Sequence, residues 1–407
     1  MNIWLCNPFD NLEEEGARPQ RYALLSSELA RRGHEVVWWT SSFSHARKAP
    51  RVATSGAPLA HSYRNANGVL MRLIDAPPYA RNVSIRRILS HRAFARKWRL
   101  EALNAVETKE LPRPDLIVTS LPPLATHETA RALRDAFACR LAVDVQDAWP
   151  EAFEGQLPFP APMRRLLSCF FFRKARGTAR RAYLTADCIT AVGREYLETA
   201  RGYGADAPMA VFRLGIADID EDATPVADGP LRLVYGGNMG ASYDLATLMA
   251  AVRTLERENS GLVRLDVAGT GPTETQLRKL ASDSGAIVFH GFLQRREYEQ
   301  LLRQSEVGVV PMFAKSHVAV PNKLADYAAA GLAILNCLPG ESEKLVATAQ
   351  AGANYRARDV AGLADAIRSL ASDRNALLAM RRNALDLARR EFLASAIYPA
   401  LCDFILS

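Results

Sequence analysis

Apolar residues fall into short runs separated by stretches of helical spacing, and this alternation persists from one end of the chain to the other. Asn2–Cys6 is a compact apolar run that predicts a first strand. Over Arg21–Arg31, Tyr22, Leu25 and Leu29 recur at helical spacing, and Gly33 stops the helix. Strands are then expected over 34–39, 115–120, 141–145 and 188–192, the second of these closed by a Pro122-Pro123 turn. Helices are expected over 126–138 and 194–200. Strand, helix, strand at this pacing means βαβ units and a parallel sheet covered on both faces.

The second half repeats the plan. Strands are expected over 231–235, 262–267, 287–290, 307–311 and 333–336, alternating with helices over 245–258, 273–282, 295–304 and 321–330. Two long helices follow over 360–372 and 374–391. Between the halves, residues 218–230 are acidic, carry Pro225 and Pro230, and lack periodicity, which reads as a linker. The expected organisation is an α/β pair of Rossmann-like domains over 1–217 and 231–390. A last helix within 391–407 is expected to return to the first domain. Ligand belongs in the crevice between the two domains, at the carboxyl ends of the strands.

Length and composition agree with this plan. A chain of 407 residues is too long for one ordinary core. With 49% hydrophobic and 23% charged residues it is not a disordered chain. Cys6, Cys139, Cys169, Cys188, Cys337 and Cys402 form no CxxC pair and no Cys/His cluster. They read as small buried hydrophobes in a reducing compartment. The opening residues lack the basic lead of a secretory signal, and no apolar stretch approaches the ~20 residues that span a bilayer. The expected location is therefore cytoplasmic.

The net charge of +7 is concentrated in two places. Arg81, Arg86, Arg87, Arg92, Arg96, Lys97 and Arg99 stand without an acid among them. Arg164, Arg165, Arg173, Lys174, Arg176, Arg180 and Arg181 surround Leu166, Leu167 and Phe170–Phe172 in the same way. Basic residues interleaved with Leu, Ile and Phe suit an interfacial helix on anionic lipid, or a solvated Arg-rich face. No nucleic-acid motif accompanies the charge, so nucleic acid is not an expected partner.

Five segments carry candidate chemistry. Pro321 marks a helix start whose free amides attract an anion, with Lys323 beside them and Asp326 one turn on. Lysine and helix terminus suit a diphosphate, and the aspartate suits vicinal ribose hydroxyls; an ordinary surface Lys–Asp pair has the same spacing. Gly236-Gly237-Asn238-Met239-Gly240 is a glycine turn after a strand, either a phosphate cradle or simply a tight turn. Gly269-Thr270-Gly271 is a GxG without the third glycine of a dinucleotide fingerprint. In the first half, the loop from Glu13 through Gly16 and Arg18 to Arg21 either shapes the acceptor side or is a surface loop. Asp144 to Glu151, with Gln146, Asp147 and Trp149, ends a strand, where a carboxylate is either functional or a cap. His127 can reach the same crevice or pack its helix. The Asp-x-Asp patterns, Asp218-Ile219-Asp220 and Asp220-Glu221-Asp222, lie in the linker and argue for no metal.

Taken in order, Arg32–Val36, 143–151 (VDVQDAWPE), 235–240 (YGGNMG), 267–272 (VAGTGP), His290-Gly291-Phe292 and 320–331 (VPNKLADYAAAG) resemble the retaining glycosyltransferases of family 4. The closest resemblance is to the bacterial branch that builds O-antigen, capsule and exopolysaccharide, including N-acetylfucosaminyltransferase-like proteins. The likeness implies the GT-B fold and a nucleotide-sugar donor, expected to be a UDP-sugar. It also implies a lipid-linked or saccharide acceptor, no metal or other cofactor, and a peripheral place on the inner face of the cytoplasmic membrane. Lys323 and Asp147 match catalytic positions. Donor contacts are implied for Gly237, Asn238, Met239, Gly240, Gly269, Gly271, Gly291, Phe292, Leu293, Pro321, Asn322 and Asp326. Acceptor contacts are implied for Gly16, Arg18, Arg21, Gln146 and Trp149. Four positions depart from the family pattern. Val318 stands where the first glutamate of E-x7-E belongs, Asn238 and Tyr243 replace an arginine and a lysine, and Gln146 replaces a histidine. The competing readings are a non-catalytic nucleotide-sugar- or lipid-binding subunit and a nucleotide-sugar 2-epimerase of the same fold.

Overall fold

The computed structural model describes residues 1–16, 18–82, 84–152, 163, 170, 172–220, 228–316 and 318–407. It divides into two compact units, residues 1–215 with 394–407, and residues 216–393. Most of the apolar core of the second basic segment, and residues 221–227 of the acidic segment, lie outside the described residues. The first residues of that acidic segment are held by the second unit, where the Asp220 amide donates to the Ala329 carbonyl and Asp218 meets Arg295 at 3.1 Å.

The first unit is built on strands β1 (Asn2–Cys6), β2 (Glu35–Ser41), a small hairpin β3 (Phe43–Ser44) and β4 (Ala49–Pro50), then β5 (Ser62–Arg64), β6 (Leu70–Ile74), β7 (Leu116–Leu121), β8 (Arg140–Val145), β9 (Cys188–Ala191) and β10 (Met209–Val211). Its main sheet runs in the order β10-β9-β8-β7-β1-β2-β6-β5. All pairs in it are parallel except β5 with β6. Central strands are apolar without alternation because helices cover both faces; every residue of β7 is buried. The helices are α1 (Arg21–Arg31), α2 (Ile85–Glu107), α3 (Leu124–Phe137), α4 (Arg173–Thr185), α5 (Arg194–Gly202) and, from the far end of the chain, Ala394–Leu406. That terminal helix shares a core with α1, where Tyr398, Leu401 and Ile405 join Tyr22, Leu25 and Leu29.

Helix α2 shows how the first basic segment folds. His91, Phe94, Trp98, Ala102 and Ala105 recur at three- and four-residue spacing and are buried. The opposite side leaves Ile85, Ile88, Leu89 and Leu100 exposed among arginines. Among the described residues no helix is long and apolar enough to cross a membrane. Of the cysteines, Cys6, Cys188, Cys337 and Cys402 are buried, and none of these or Cys139 is in a disulfide.

A buried ion pair ties this unit together. The Arg21 guanidinium on α1 binds Asp144 on β8 in a bidentate fork, Nε to Oδ2 at 2.8 Å and Nη2 to Oδ1 at 2.7 Å. Its Nη1 donates to the carbonyls of Phe212 and Arg213. Asp144 also accepts from Thr190 Oγ1 on β9 at 2.6 Å. Both side chains are 1% exposed, so each charge depends on the other for its solvation.

The second unit carries β11 (Leu231–Gly236), β12 (Val263–Ala268), β13 (Ile287–Gly291), β14 (Val307–Val310), β15 (Ala333–Asn336) and β16 (Gly352–Asn354) in an all-parallel sheet of order β13-β12-β11-β14-β15-β16. Its helices are α6 (Leu245–Glu258), α7 (Glu274–Leu280), α8 (Arg295–Arg303), α9 (Asn322–Ala329), α10 (Glu341–Ala349), α11 (Val360–Ser372) and α12 (Arg374–Glu391); the terminal helix of the first unit completes the series as α13. Strand order reverses between β11 and β14, the place in an open parallel sheet where ligands bind, and the segments that follow the two strands are joined there by Asp244 N–H to the Pro311 carbonyl at 2.7 Å and Phe313 N–H to the Ser242 carbonyl at 3.0 Å.

Replacing Asp144 by Asn strands the Arg21 charge in the core. We expect Asp144→Asn to destabilise the protein by about 3–5 kcal/mol, read as a lower urea midpoint. A midpoint equal to that of the wild type would show that the pair does not hold the first unit together.

Candidate functional site

The strand order of the second unit reverses between β11 and β14, and the glycine turn and Lys323 meet at that point. The turn after β11 is residues 236–240. Two of its amides are already spent, since Gly237 N–H donates to the Ala268 carbonyl and Met239 N–H to the Thr270 carbonyl, both at 2.9 Å. The amides of Asn238 and Gly240 take no partner among the described residues. The 268–273 loop is therefore a brace for the 236–240 turn. Gly269 has φ +117°, and a Cβ there would run into the Gly237 carbonyl. Only glycine lets these two backbones approach so closely.

Helix α9 supplies the cation. Pro321 is the N-cap, with extended φ −76° and ψ 148°. It thus stands one position before the first helical residue that the sequence assigned to it, and Asn322 and Lys323 occupy the first turn. Lys323 Nζ lies 5.0 Å from the Tyr235 ring centroid and 4.6 Å from that of Tyr243. A side chain at Gly237, where φ is +125°, would collide with this ammonium. The phenol of Tyr327 accepts the Gly236 amide at 3.0 Å, which fastens α9 to the turn. Lys323 makes no ion pair among the described residues. Burial lowers its pKa to about 8, partly countered by the charge of Asp326.

The remaining donor residues divide. Met239 is fully buried in the core of this unit, so its side chain cannot be a ligand contact and that assignment is corrected. Gly291 (φ +67°) ends β13, and its carbonyl accepts the Gly269 amide at 2.6 Å. Phe292 beyond it is 71% exposed, and Leu293 is partly buried against the core. Asp326 is half-buried one turn after Lys323. Tyr243, at the position where the family resemblance puts a second cation, instead lays its ring against Lys323. Among the described residues no group of three or more His, Cys, Asp or Glu side chains is placed to hold a metal ion.

In the first unit the acceptor residues are not all available. Arg21 is buried and its guanidinium is committed to Asp144 and two carbonyls, so its acceptor role is corrected to a structural one. Gln146 Nε2 donates to Asp144 at 3.1 Å and extends the same network. Asp147 accepts the Ala148 amide at 2.9 Å and the Trp149 indole N–H at 3.0 Å, which fixes that ring. Gly16 caps the short 3-10 turn Glu13–Glu15 with φ +70°, and Arg18 is partly buried. His127 is buried on α3, which settles it as a packed side chain. Sequence reasoning passed over Arg51, whose buried ion pair with Glu15 at 2.5 Å and bond to the Asp10 carbonyl pin the loop after β1. It also passed over Tyr298, which packs against the donor turn beside Gly236. An alternating polar pattern gave no signal for either.

Comparison with known proteins places this geometry. The fold is GT-B, two Rossmann-like units in one chain. Sucrose-phosphate synthase from Thermosynechococcus elongatus matches with a TM-score of 0.71 and 15% identity over 99% of this chain and 98% of that one. HepE of Anabaena, solved in complex with UDP-glucose, matches at 0.63 and 13% identity over 100% and 99%. WaaG, a glycosyltransferase involved in lipopolysaccharide biosynthesis, matches at 0.62 and 14% identity over 99% of each. In sequence, residues 230–373 match the family described as glycosyl transferases group 1. Glycogen synthase of Mycobacterium tuberculosis is 31% identical over 176 residues, which span 41% of this chain and 41% of that protein.

The lowered pKa of Lys323 makes a pH signature. A bound diphosphate stabilises the charged lysine and raises its pKa, so binding above pH 8 must take up a proton. Affinity for UDP should be flat between pH 7 and about 8, then fall towards tenfold per pH unit up to the raised value. Calorimetric titration of wild type and Lys323→Arg checks this. The arginine variant should stay flat over that range, and a wild-type affinity independent of pH would remove Lys323 from the phosphate site.

Proposed function

We propose that this protein is a retaining glycosyltransferase that moves a sugar from a nucleoside diphosphate, UDP in the first instance, to a lipid-linked or saccharide acceptor. Its setting is bacterial surface-polysaccharide synthesis on the anionic inner face of the cytoplasmic membrane, and it works without a metal ion. The observation that carries the reading is Lys323, held against a glycine turn at the point where the strand order of the second unit reverses. The family match to the same unit and the UDP-glucose complex of HepE support a nucleotide-sugar donor. The exposed Ile, Leu and Arg side chains of α2 support a membrane surface.

The chemistry follows from charge. As the bond between the anomeric carbon and the diphosphate oxygen breaks, negative charge grows on the leaving diphosphate. Lys323 and the amides of Asn238 and Gly240 are already oriented to receive it, so no reorganisation is needed during the step. Asp326 takes the ribose hydroxyls, and Asp147 is the candidate catalytic carboxylate of the first unit. A second reading, a nucleotide-sugar-binding subunit without turnover, is favoured by Val318, Asn238 and Gln146, which replace the family's usual glutamate, arginine and histidine.

The test is transfer of radiolabelled sugar from UDP-sugars to membrane lipid extract by the whole chain. Wild type should label the lipid fraction, and Lys323→Ala should cut the rate by about 100-fold or more with an unchanged urea midpoint. Equal rates would remove Lys323 from catalysis, and UDP-sugar binding with no labelling under any acceptor would favour the binding subunit.

A further inference from the structure

At the carboxyl ends of the first unit's strands a second set of cations forms no ion pair among the described residues. Arg87 on α2 stacks its guanidinium between two rings, 5.4 Å from the Phe9 centroid and 4.9 Å from that of Trp149. Its polar contacts are to the Asn82 carbonyl at 2.8 Å, His91 Nε2 at 3.4 Å and the Tyr79 hydroxyl. Lys48 Nζ lies 5.0 Å from the Tyr79 centroid and contacts the backbone carbonyl and ring of His45. His45 in turn meets the Tyr79 hydroxyl at 2.5 Å. Rings of Phe9, His45, His91, Tyr79 and Trp149 pack at 5.1–6.1 Å and wall the cluster.

The charge balance of this cluster is one-sided. Asp147 is the acid whose field reaches Arg87, and neither Arg87 nor Lys48 forms an ion pair among the described residues. Burial, with Lys48 and Arg87 nearby, pushes His45 down to about 3, and burial, with Arg87 and His45 nearby, does the same to His91, so both stay neutral. Lys48 is lowered to about 8, first by burial and then by Arg87. Two partly buried cations and two neutral imidazoles on one side of a pocket call for an anion.

Arg87, His91 and Trp149 also line a groove of about 1170 Å³ between α2, α3 and α4, and Lys48 and His45 stand behind them against Tyr79. Beyond Arg87, His91 and Trp149 its walls carry an apolar stretch of Ile88, Ala95, Leu124, Ala125 and Phe172, while Glu128, paired with Arg181, and the hydroxyls of Thr129 and Thr178 supply polar positions. Arg92, Arg96 and Lys174 stand along the rim. Ile85, Leu89 and Leu100 continue the apolar strip on the exposed side of α2. An anion pocket that opens into a hydrocarbon-sized groove, which itself reaches a basic and apolar surface, has the charge and polarity order of one kind of molecule.

We infer that this groove holds a long-chain lipid phosphate, its phosphate between Arg87 and Lys48 and its hydrocarbon along Ile88, Ala95 and Leu124. This deepens the transferase reading and rests on it only for the statement that the lipid is the acceptor. Arg87 then does what the usual phosphate-binding arginine does, donating two parallel N–H groups to phosphate oxygens while its planar face stays on Trp149. The exposed strip on α2 lets the chain pass from bilayer to groove without crossing water.

Isothermal titration of the whole chain with farnesyl phosphate, farnesol and inorganic phosphate tests this, with UDP titrated into the same samples. Farnesyl phosphate should bind at least tenfold more tightly than farnesol or inorganic phosphate. Arg87→Gln and Lys48→Gln should each lose about tenfold or more of that affinity while leaving UDP binding intact. Ile88→Gln, at an exposed edge of the groove where folding is not at stake, should weaken farnesyl phosphate and leave inorganic phosphate unchanged. Farnesyl phosphate binding no tighter than farnesol, or equal binding by all three variants, would overturn the lipid site. Inorganic phosphate that binds as tightly as farnesyl phosphate, or UDP binding that falls in Arg87→Gln, would overturn it in favour of a small-anion site. Loss of UDP binding in wild type would instead count against the transferase reading, whatever the lipid result.

Discussion

Holding a lysine ammonium among aromatic rings costs solvation that no ion pair among the described residues returns, and the second unit is organised so that Lys323 stays there. Two tyrosine faces offset part of the cost through the ring quadrupole. The rest is imposed by backbone geometry. Gly269 lets the 268–273 loop press against Gly237, Gly237 leaves room for the ammonium, and the Tyr327 phenol fastens α9 to the Gly236 amide. The lysine is thereby poised to gain from an anion, because a diphosphate restores the solvation that burial removed. Everything proposed about donor binding depends on this arrangement, as does the shift of the Lys323 pKa to about 8.

The first unit uses charge in two opposite ways. Arg21 and Asp144 are matched, bidentate and sealed, and their network reaches Thr190 and the carbonyls of residues 212 and 213. This closes the middle of the unit and leaves nothing for a ligand. Arg87 and Lys48, nearer the surface, are stacked on rings and given no carboxylate. Paired charge builds the scaffold, and cations without a paired acid mark where a ligand's anion completes the balance. Lys323 belongs with the second kind, so both units present the same physical signal.

Most of the fold was legible because βαβ units leave strong periodicity. Leu245–Glu258, Ala333–Asn336, Val360–Ser372 and Arg374–Glu391 lie where apolar spacing put them. The hairpin of β5 and β6 was missed because Ser62–Arg64 is short, polar and at the sheet edge, with no apolar run to announce it. Lys323, Asp326 and the glycine turn were legible because a helix start and a glycine run are local signals. Arg21 was misread as an acceptor contact because its partner, Asp144, is 123 positions away and no local pattern reveals it. Met239 was misread for the converse reason, since a residue within a glycine turn looks exposed until its core is seen. The Arg87 cluster draws its rings from several loops and helices, so only the basic run on α2 could be read beforehand.

The central claim is that the second unit binds a nucleoside diphosphate through Lys323 and the glycine turn, and a thermal titration tests it without knowledge of the acceptor. Unfolding midpoints would be followed with UDP, GDP, ADP and NAD, each with and without EDTA. A ligand that binds only the folded state raises the midpoint in proportion to its affinity. The account predicts the largest rise for UDP, unchanged by EDTA and absent in Lys323→Ala. A rise for NAD alone, or for none of the four, would contradict it.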